Sequence, residues 1–316
     1  MTGPNDGDFM RGVIAIMVTG RAVSGAVDPG RTRSHAEFLL NHGLREEESA
    51  IVSTGSIGEC AALSKEERTK IWEATLEGVA GNVPVIAGIN HTNPNQVVEM
   101  AKRAAKVGTQ GVMLMTPYYW APSKRSVKNF FHMILDQIEL PVLLYNNIPA
   151  TQMDLPLELI TEFAEHGRVG AIKECTPDFT KLERVYRAVG ESINVINGNG
   201  EFWEPYASVM GCHGLVSGLV NFAPKKTIDI RRYSREGNYE KVHAIKKDLQ
   251  PYFKFFFEVT GKYGMSAEPA ILKQAASLVG SKVGPVKAPV TDLSEAEEEQ
   301  LKQSLEESGL LGDNRE

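Results

Sequence analysis

Short runs of apolar residues recur along roughly the first two thirds of the chain. They are rich in Val and Ile, and they are nearly continuous rather than alternating with polar residues. Such runs are typical of strands that are buried on both faces of a parallel sheet. We expect eight strands, in GVIAIMVT (from Gly12), AIVS (Ala50), PVIAGI (Pro84), GVMLMT (Gly111), PVLLYN (Pro141), VGAIK (Val169), INVING (Ile193) and GLVSG (Gly214).

Amphipathic segments lie between these runs and carry helix boundary signals. Ser64 and Glu67 have the spacing of a capping box, and Gly81 follows as a stop signal. About eight strand–helix alternations fill residues 12 to 226, which predicts a (β/α)8 barrel with its active site at the C-terminal ends of the strands. A doubly wound sheet is the alternative, but no GxGxxG turn follows the first strand.

The pattern changes beyond Pro224, where helical segments continue without strands. We therefore expect a barrel domain over residues 1–226 and a C-terminal helical domain over residues 227–316, packed on the barrel. The segment LREEES (Leu44 to Ser49) is expected to be a solvated loop, and the tail from Leu311 is expected to fray.

The composition of the 316 residues is that of a globular protein, with 42% hydrophobic residues and a net charge of −6. There is no basic stripe for nucleic acid, no apolar segment long enough to cross a membrane and no basic leader before an apolar run. Three cysteines without CxxC spacing indicate free thiols in a reducing cytoplasm. The seven histidines show no HxH or HExxH spacing, so no metal site is expected.

Lys173 ends the sixth predicted strand. A buried ammonium is costly unless it is paired or neutralised. Burial favours the neutral amine, and a neutral amine can attack a ketone to form a Schiff base. The alternative is a strand-end lysine whose ammonium reaches solvent along its apolar stem. The position of Lys173 alone does not decide between the two.

Three other strands also end in residues that can do chemistry. The second leads into a tight turn, Gly55–Glu59, whose backbone N–H groups can hold a carboxylate; an ordinary loop is the alternative, and the lack of GK[ST] excludes a P-loop. Tyr118 and Tyr119 follow the fourth strand, and Tyr145 ends the fifth. A phenol near an imine can shuttle protons, whereas the alternative for each tyrosine is packing or an interface.

The order of these motifs is specific, although each motif alone is weak. A G-[ST]-x-G-E turn at Gly55–Glu59, then PYY at 117–119, then YN..P from Tyr145 and [AG]-I-K ending at Lys173 resembles the dihydrodipicolinate synthase / N-acetylneuraminate lyase family of class I pyruvate-dependent aldolases. The resemblance covers the chain from Gly12 to about Leu310.

The resemblance implies a fold, an assembly and a set of site residues. The fold would be a (β/α)8 barrel with a C-terminal helical domain, assembled as a homodimer or homotetramer. Lys173 would form the Schiff base and Tyr145 would move protons, with Ser56 linking it to Tyr119 from the neighbouring subunit. No metal or organic cofactor would be needed, because the lysine itself is the electron sink. The residues expected to bind the substrate are Gly55, Ile57, Gly58, Gly198 and Val216.

The chain departs from the family pattern at two places. Ile57 stands where the family has a second hydroxyl residue, usually threonine, so one carboxylate donor is lost. The authentic synthases carry an arginine after YN..P for the carboxylate of the aldehyde partner, whereas this chain has Ala150, Thr151 and Gln152 there. A buried carboxylate without a cation binds poorly. We therefore do not expect an authentic dihydrodipicolinate synthase.

The second substrate stays open at this point. GECAAL, Ile57 and the YNN…MDLP stretch look like the hydratase-aldolases that cleave aromatic benzylidenepyruvates, but those lack the PYY pair. The sugar-acid lyases of the family also have no arginine after YN..P, and Glu201 is then the acid available to hold a polyol. The sequence does not choose between a sugar-derived and an aromatic aldehyde.

The function predicted from the sequence is a lyase that makes or breaks a carbon–carbon bond next to a lysine Schiff base of pyruvate or another 2-keto acid. The first alternative is a hydratase-aldolase or a 2-keto-3-deoxy acid dehydratase that uses the same imine. A catalytically idle homologue that binds a metabolite is the remote alternative. The expected partners are small molecules, a keto acid and an aldehyde, with no nucleic acid and no membrane.

Overall fold

A computed structural model describes residues 7–45 and 48–311 of the chain. Eight parallel strands within these residues form a closed barrel in which each strand pairs with the next and the last pairs with the first. All eight predicted strands are present. They are β1 Gly12–Ile16, β2 Ser49–Ser53, β3 Val85–Gly88, β4 Gly111–Met115, β5 Val142–Asn146, β6 Val169–Glu174, β7 Asn194–Asn197 and β8 Gly214–Ser217.

The helices of the barrel follow the strands in alternation, with the short α5 preceding α6 after β5. The capping box predicted at Ser64 and Glu67 is present at the start of α2. The helices as far as the one after β8 are α1 Pro29–Asn41, α2 Lys65–Val79, α3 Pro94–Val107, α4 Lys124–Leu135, α5 Ile148–Thr151, α6 Leu157–Ala164, α7 Phe179–Val189, α8 Glu204–Met210 and α9 Pro224–Arg235. The predicted (β/α)8 barrel is therefore confirmed.

Four further helices form the C-terminal part, α10 Tyr239–Asp248, α11 Gln250–Tyr263, α12 Glu268–Leu278 and α13 Glu295–Glu307. The boundary expected at residue 226 falls inside α9, which packs on α8, β1 and β8 as the eighth outer helix of the barrel. We propose that the domain boundary lies after Arg235, in the turn that precedes α10.

The strands are buried throughout except at Asn194, as expected for a barrel covered by helices on its outside and filled by side chains inside. One apolar cluster fills the interior and includes Ile14, Met113 and Leu143. At the C-terminal end of the strands this cluster ends at Tyr145, with Ile57 and Tyr118 packed against it. The barrel interior is thus filled with apolar side chains, and the functional side chains lie at the C-terminal end of the strands.

The segment Leu44 to Ser49 differs from the expected solvated loop. Leu44 is fully buried in the core between strands and helices, and Ser49 is the first residue of β2. Glu46 and Glu47, together with the last five residues of the tail predicted to fray, lie outside the described residues. A search of the described helices finds none that is both long and apolar enough to span a bilayer.

Candidate active site

Lys173 and Tyr145 lie side by side at the C-terminal end of the barrel. They are register partners on β6 and β5, and the Lys173 Nζ is 4.0 Å from the centre of the Tyr145 ring. Side chains alternate along a strand, and Ala171, two residues before Lys173, belongs to the interior cluster. Lys173 therefore points into the barrel, where only 5% of its surface is exposed. The alternative of a lysine that reaches solvent does not describe this side chain.

The surroundings of Lys173 change the expectation for its charge. Burial lowers the pKa of the amine, but the interactions with Tyr145, Cys175 and Glu268 outweigh burial and raise this pKa above its usual value. The expectation of a neutral amine considered burial alone and stays a prediction, because neighbouring groups oppose the effect of burial on this pKa. An ammonium must lose a proton to a neighbour before its nitrogen can attack a carbonyl.

The Tyr145 hydroxyl has hydrogen-bonding partners that can move such a proton. Burial raises the pKa of this phenol, although Lys173 and a hydrogen bond with Ser56 lower it. The phenol is therefore protonated at neutral pH and can pass its own proton to Ser56 while it takes one from Lys173. Ser56 thus lies where the resemblance requires it, next to Tyr145.

Asn147 is a site residue that the sequence analysis missed. Its Nδ2 donates a hydrogen bond of 2.5 Å to the Tyr145 Oη. The same side chain accepts a hydrogen bond from the Ala150 backbone N–H at the start of α5, which fixes its orientation. The sequence signal that could have revealed Asn147 was its spacing of two residues from Tyr145, because residues i and i+2 of an extended chain lie on one face.

The turn after β2 exposes backbone donors at the mouth of the barrel. Ser56, Ile57 and Gly58 donate no backbone hydrogen bond to any part of the chain that the structure describes. The turn is bounded by Thr54 and Glu59, both in the left-handed region with φ of 59°. Consecutive free N–H groups in such a turn form a concave donor site for an anion. The turn therefore has backbone donors suited to an anion, and its role in binding a carboxylate stays a prediction.

Close packing explains both glycines of the turn. A Cβ at Gly58 would lie 3.0 Å from the Thr54 Cα, and one at Gly55 would lie 3.2 Å from the Ile16 side chain. The left-handed conformation of Thr54 is unfavourable for a β-branched residue. It is held by two hydrogen bonds of the Thr54 hydroxyl, one from the Trp72 indole at 2.8 Å and one to a carbonyl of β3.

Glu59 anchors this turn through three buried contacts. Its carboxylate binds the Arg21 Nε at 3.2 Å and the Lys273 Nζ at 2.8 Å, and it accepts a hydrogen bond of 2.6 Å from the Lys287 backbone N–H. The Arg21 side chain is 0% exposed, the Lys273 side chain 2% and that of Glu59 3%. Lys273 belongs to α12, so the C-terminal helical part holds the donor turn in place.

Three of the other predicted substrate residues lie around the same mouth. Ile57 packs against both the interior cluster and the C-terminal core. Val216 lies in β8 as part of the interior cluster, and Gly198 follows β7. A Cβ at Gly198 would lie 2.2 Å from the Cys175 Sγ, so only glycine allows the chain to pass this close to β6. The chain after β2 and β7 and the end of β8 thus lie around the barrel mouth, and Gly198 packs directly against the chain that follows Lys173.

Comparison with known proteins agrees with this geometry. The profile of the dihydrodipicolinate synthetase family matches residues 9–308. The chain is 31% identical over 303 residues to the 4-hydroxy-tetrahydrodipicolinate synthase of Methanococcus maripaludis strain C6, covering 96% of this chain and 100% of that protein. This chain belongs to the dihydrodipicolinate synthetase family. Members of the dihydrodipicolinate synthetase family are lyases of the condensing aldolase type, so the predicted enzyme class is confirmed.

Two solved structures support membership of the dihydrodipicolinate synthetase family. A monomeric dihydrodipicolinate synthase variant gives a TM-score of 0.87 at 27% identity, covering 98% of this chain and 100% of that one. The second is YagE, a prophage protein of the dihydrodipicolinic acid synthase family from E. coli K12, in complex with pyruvate. It gives a TM-score of 0.84 at 25% identity, covering 95% of this chain and 99% of that one.

Tyr119 lies apart from the other site residues of this dihydrodipicolinate synthetase family member. It is 76% exposed, and its neighbour Trp120 is 78% exposed. Tyr119 also has a φ of 91°, which turns the chain sharply outward after Tyr118. Tyr118 packs inward against the barrel interior. Within one subunit the structure therefore does not bring Tyr119 to Lys173.

Glu201 does not face an open site, contrary to the role in polyol binding that the sequence left open. Its Oε1 accepts hydrogen bonds from the Ser217 hydroxyl at 2.5 Å and the Thr227 hydroxyl at 2.8 Å, and the side chain is buried between β8 and α9. Among the described residues, no three His, Cys, Asp or Glu side chains are grouped closely enough to hold a metal ion.

Proposed function

We propose that this lyase forms a Schiff base between Lys173 and C2 of pyruvate, or of a longer 2-keto acid. The observation that carries this proposal is the placement of a buried lysine beside Tyr145 and near a turn with free backbone N–H groups. The turn would bind the keto acid carboxylate and so direct its C2 carbonyl towards the lysine. The complex of YagE with pyruvate supports pyruvate as the keto acid.

Protons move during the reaction through a relay formed by Tyr145, Ser56 and Tyr119. The Lys173 nitrogen attacks C2 after one of its protons has passed to the Tyr145–Ser56 pair, and Tyr145 returns this proton to the C2 oxygen. A second proton, lost by the nitrogen after the attack, reaches the same oxygen through Tyr145, so that the oxygen leaves as water and an iminium forms. The iminium draws electrons from C3, which loses a proton to give an enamine. The enamine carbon attacks the aldehyde carbon, and the new alkoxide takes a proton from the relay. Water then releases the product and regenerates Lys173; cleavage runs the same steps in reverse.

The proposed Schiff base can be trapped directly. Incubation with pyruvate and borohydride is expected to give one stable adduct per chain, and peptide mapping is expected to place it on Lys173. Lys181 on α7 is ion-paired with Asp154, and burial lowers the pKa of its amine to about 8. It is therefore the internal control for a reactive amine outside the barrel mouth and should remain unmodified. An intact, folded protein without an adduct would contradict the use of pyruvate. A product screen then separates aldol cleavage, which releases pyruvate, from dehydration, which keeps the carbon count.

We also propose that the active unit is at least a homodimer located in the cytoplasm. Tyr119 and Trp120 expose large aromatic surfaces next to the mouth, as expected of interface residues. The partner subunit's Tyr119 would then complete the relay from Ser56. The cytoplasmic location is supported by three free cysteines.

Mixing two inactive variants tests the role of Tyr119 across an interface. Lys173→Met lacks the nucleophile and Tyr119→Phe lacks one phenol of the relay, so each alone should exchange the pyruvate methyl protons with D2O poorly. After random reassembly the mixture should regain about a quarter of the wild-type exchange rate, because half of the dimers then hold one intact site of two.

Exchange of the methyl protons is followed by NMR and needs no aldehyde. Tyr206→Phe removes the hydroxyl of another exposed tyrosine, 62% accessible on α8, and should keep the full exchange rate as a homomer. If Tyr119 acts within its own subunit, the mixture contains no intact site. Absence of any regained exchange would therefore contradict the shared site.

A further inference from the structure

Glu268 brings a carboxyl group from the C-terminal domain to the mouth of the barrel. It is the first residue of α12, and its Oε1 lies 3.3 Å from the position that a Cβ would occupy at Gly218, just after β8. The Ile57 side chain reaches the same point, also at 3.3 Å. Gly218 therefore leaves room for the carboxyl group between the end of β8 and the donor turn.

The Glu268 carboxyl group lies close enough to Lys173 for the two groups to influence each other electrostatically, and it also interacts in this way with Cys175. Within residues 7–45 and 48–311, its carboxylate oxygens have neither a hydrogen-bond partner nor an ion-pair partner. Glu268 is partly exposed, so its carboxyl group is accessible to a ligand at the mouth of the barrel. Desolvation, offset only in part by Lys173, raises its pKa to about 7. A carboxylate without a partner can accept hydrogen bonds from a ligand that enters there.

The proposed Schiff base leaves one position for the second substrate. The keto acid carboxylate would occupy the donor turn and its C2 would be bound to Lys173, so the reacting C3 and the incoming aldehyde must extend away from both. Glu201, the other acid of this region, is held by Ser217 and Thr227 and cannot turn towards the mouth without losing these bonds. Glu268 is the carboxyl group that remains available there among the described residues.

We propose that Glu268 binds a hydroxyl group of the aldehyde partner, so that the enzyme selects hydroxylated, uncharged aldehydes over acidic and purely apolar ones. The inference rests on the proposed Schiff-base function of Lys173. A carboxylate accepts hydrogen bonds from a hydroxyl group strongly but repels a second carboxylate. An aldehyde without a hydroxyl group would displace water from Glu268 without replacing its hydrogen bonds, which disfavours the transition state of that aldehyde.

Three aldehydes, one hydroxylated, one apolar and one acidic, test this selectivity. Condensation of pyruvate with glyceraldehyde, propanal and succinic semialdehyde is measured at pH 8, where most Glu268 is ionised, and the values of kcat/KM are compared as ratios within each variant. Ratios cancel any effect of Glu268 on the reactivity of Lys173. The wild type is expected to prefer glyceraldehyde to propanal by about tenfold or more, the effect of one hydrogen bond to a charged group, and to use succinic semialdehyde least.

Two variants at the same position test the hydrogen bond and the charge separately. Glu268→Leu should lower the glyceraldehyde-to-propanal ratio by about tenfold or more, because no acceptor remains. Glu268→Gln keeps the size and an acceptor oxygen but removes the charge. It should retain part of that ratio, because a neutral hydrogen bond is weaker than one to a charged group, and it should raise the use of succinic semialdehyde relative to propanal.

The outcomes distinguish failure of this inference from failure of the proposed function. If wild-type protein forms no pyruvate adduct, the Schiff-base function is contradicted, and the inference falls with it. If the adduct forms on Lys173 but the three ratios are the same in wild type and both variants, the function stands and the role of Glu268 is overturned. A wild type that prefers succinic semialdehyde to propanal would also overturn it.

Discussion

Replacing Lys173 with Met is expected to lower the rate of pyruvate methyl-proton exchange by about four orders of magnitude or more, as loss of a covalent nucleophile does in other enzymes. The change removes the nitrogen that forms the imine, and with it the electron sink that makes the methyl protons acidic. Stability should not suffer. Methionine is similar in length and volume, and a buried ammonium carries a desolvation cost that the thioether does not.

The measurement is exchange in D2O followed by NMR, together with thermal unfolding of both proteins. Lys181→Arg is the matched control because it keeps the positive charge next to Asp154 on the outside of the barrel. It should exchange the methyl protons at the wild-type rate. A Lys173→Met protein that is folded and still exchanges the protons would show that another group forms the enamine, and the proposed mechanism would be lost.

Replacing Glu59 with Gln is expected to destabilise the protein by about 3–5 kcal/mol, the usual cost of removing one partner from a buried ion pair. Arg21 would keep its charge in a site that is closed to water, and a neutral amide cannot balance it. Burial already lowers the pKa of Lys273, and loss of Glu59 would lower this pKa further, so Lys273 would be left either charged without a partner or deprotonated. Fitted midpoints and slopes from urea denaturation would give the change in the free energy of unfolding.

Two controls make this prediction specific. Glu258→Gln removes an exposed ion pair with Lys254, at 3.9 Å and with side chains 65% and 78% exposed. It should change stability by about 0.5 kcal/mol or less. The double variant Glu59→Gln/Lys273→Met should recover part of the loss, because it removes one of the two uncompensated charges. Equal changes in the free energy of unfolding for Glu59→Gln and Glu258→Gln would contradict the stabilising role of the buried ion pairs of Glu59.

The barrel was predictable because its signals are local. Each strand is a short apolar run, and a capping residue such as Ser64 marks a helix start within a few positions of sequence. Lys173 could be singled out in the same way, as a charge at the end of a buried run. The prediction of a solvated loop was wrong at the two ends of the segment Leu44–Ser49, because burial of Leu44 depends on helices that pack against it in the fold and Ser49 already belongs to β2.

The missed parts of the site depend on residues that only the fold brings together. Glu59 belongs to a motif visible in the sequence, but its partner Lys273 is 214 residues away. No pattern around Glu268 indicates that the start of a C-terminal helix reaches the barrel mouth. The pKa of Lys173 depends in the same way on neighbours from other elements, which oppose the effect of its burial.

The link between Glu59 and α12 sets the smallest fragment of this chain that can be used in protein engineering. A chain cut after Arg235 would keep all eight strands and the lysine, but it would lose Lys273 and the backbone N–H of Lys287, two of the three contacts that fix Glu59. Among the described residues, the Glu59 carboxylate would then keep only its contact with Arg21. Libraries, fusions and circular permutants of this enzyme should therefore retain all residues up to Lys287 together with the barrel.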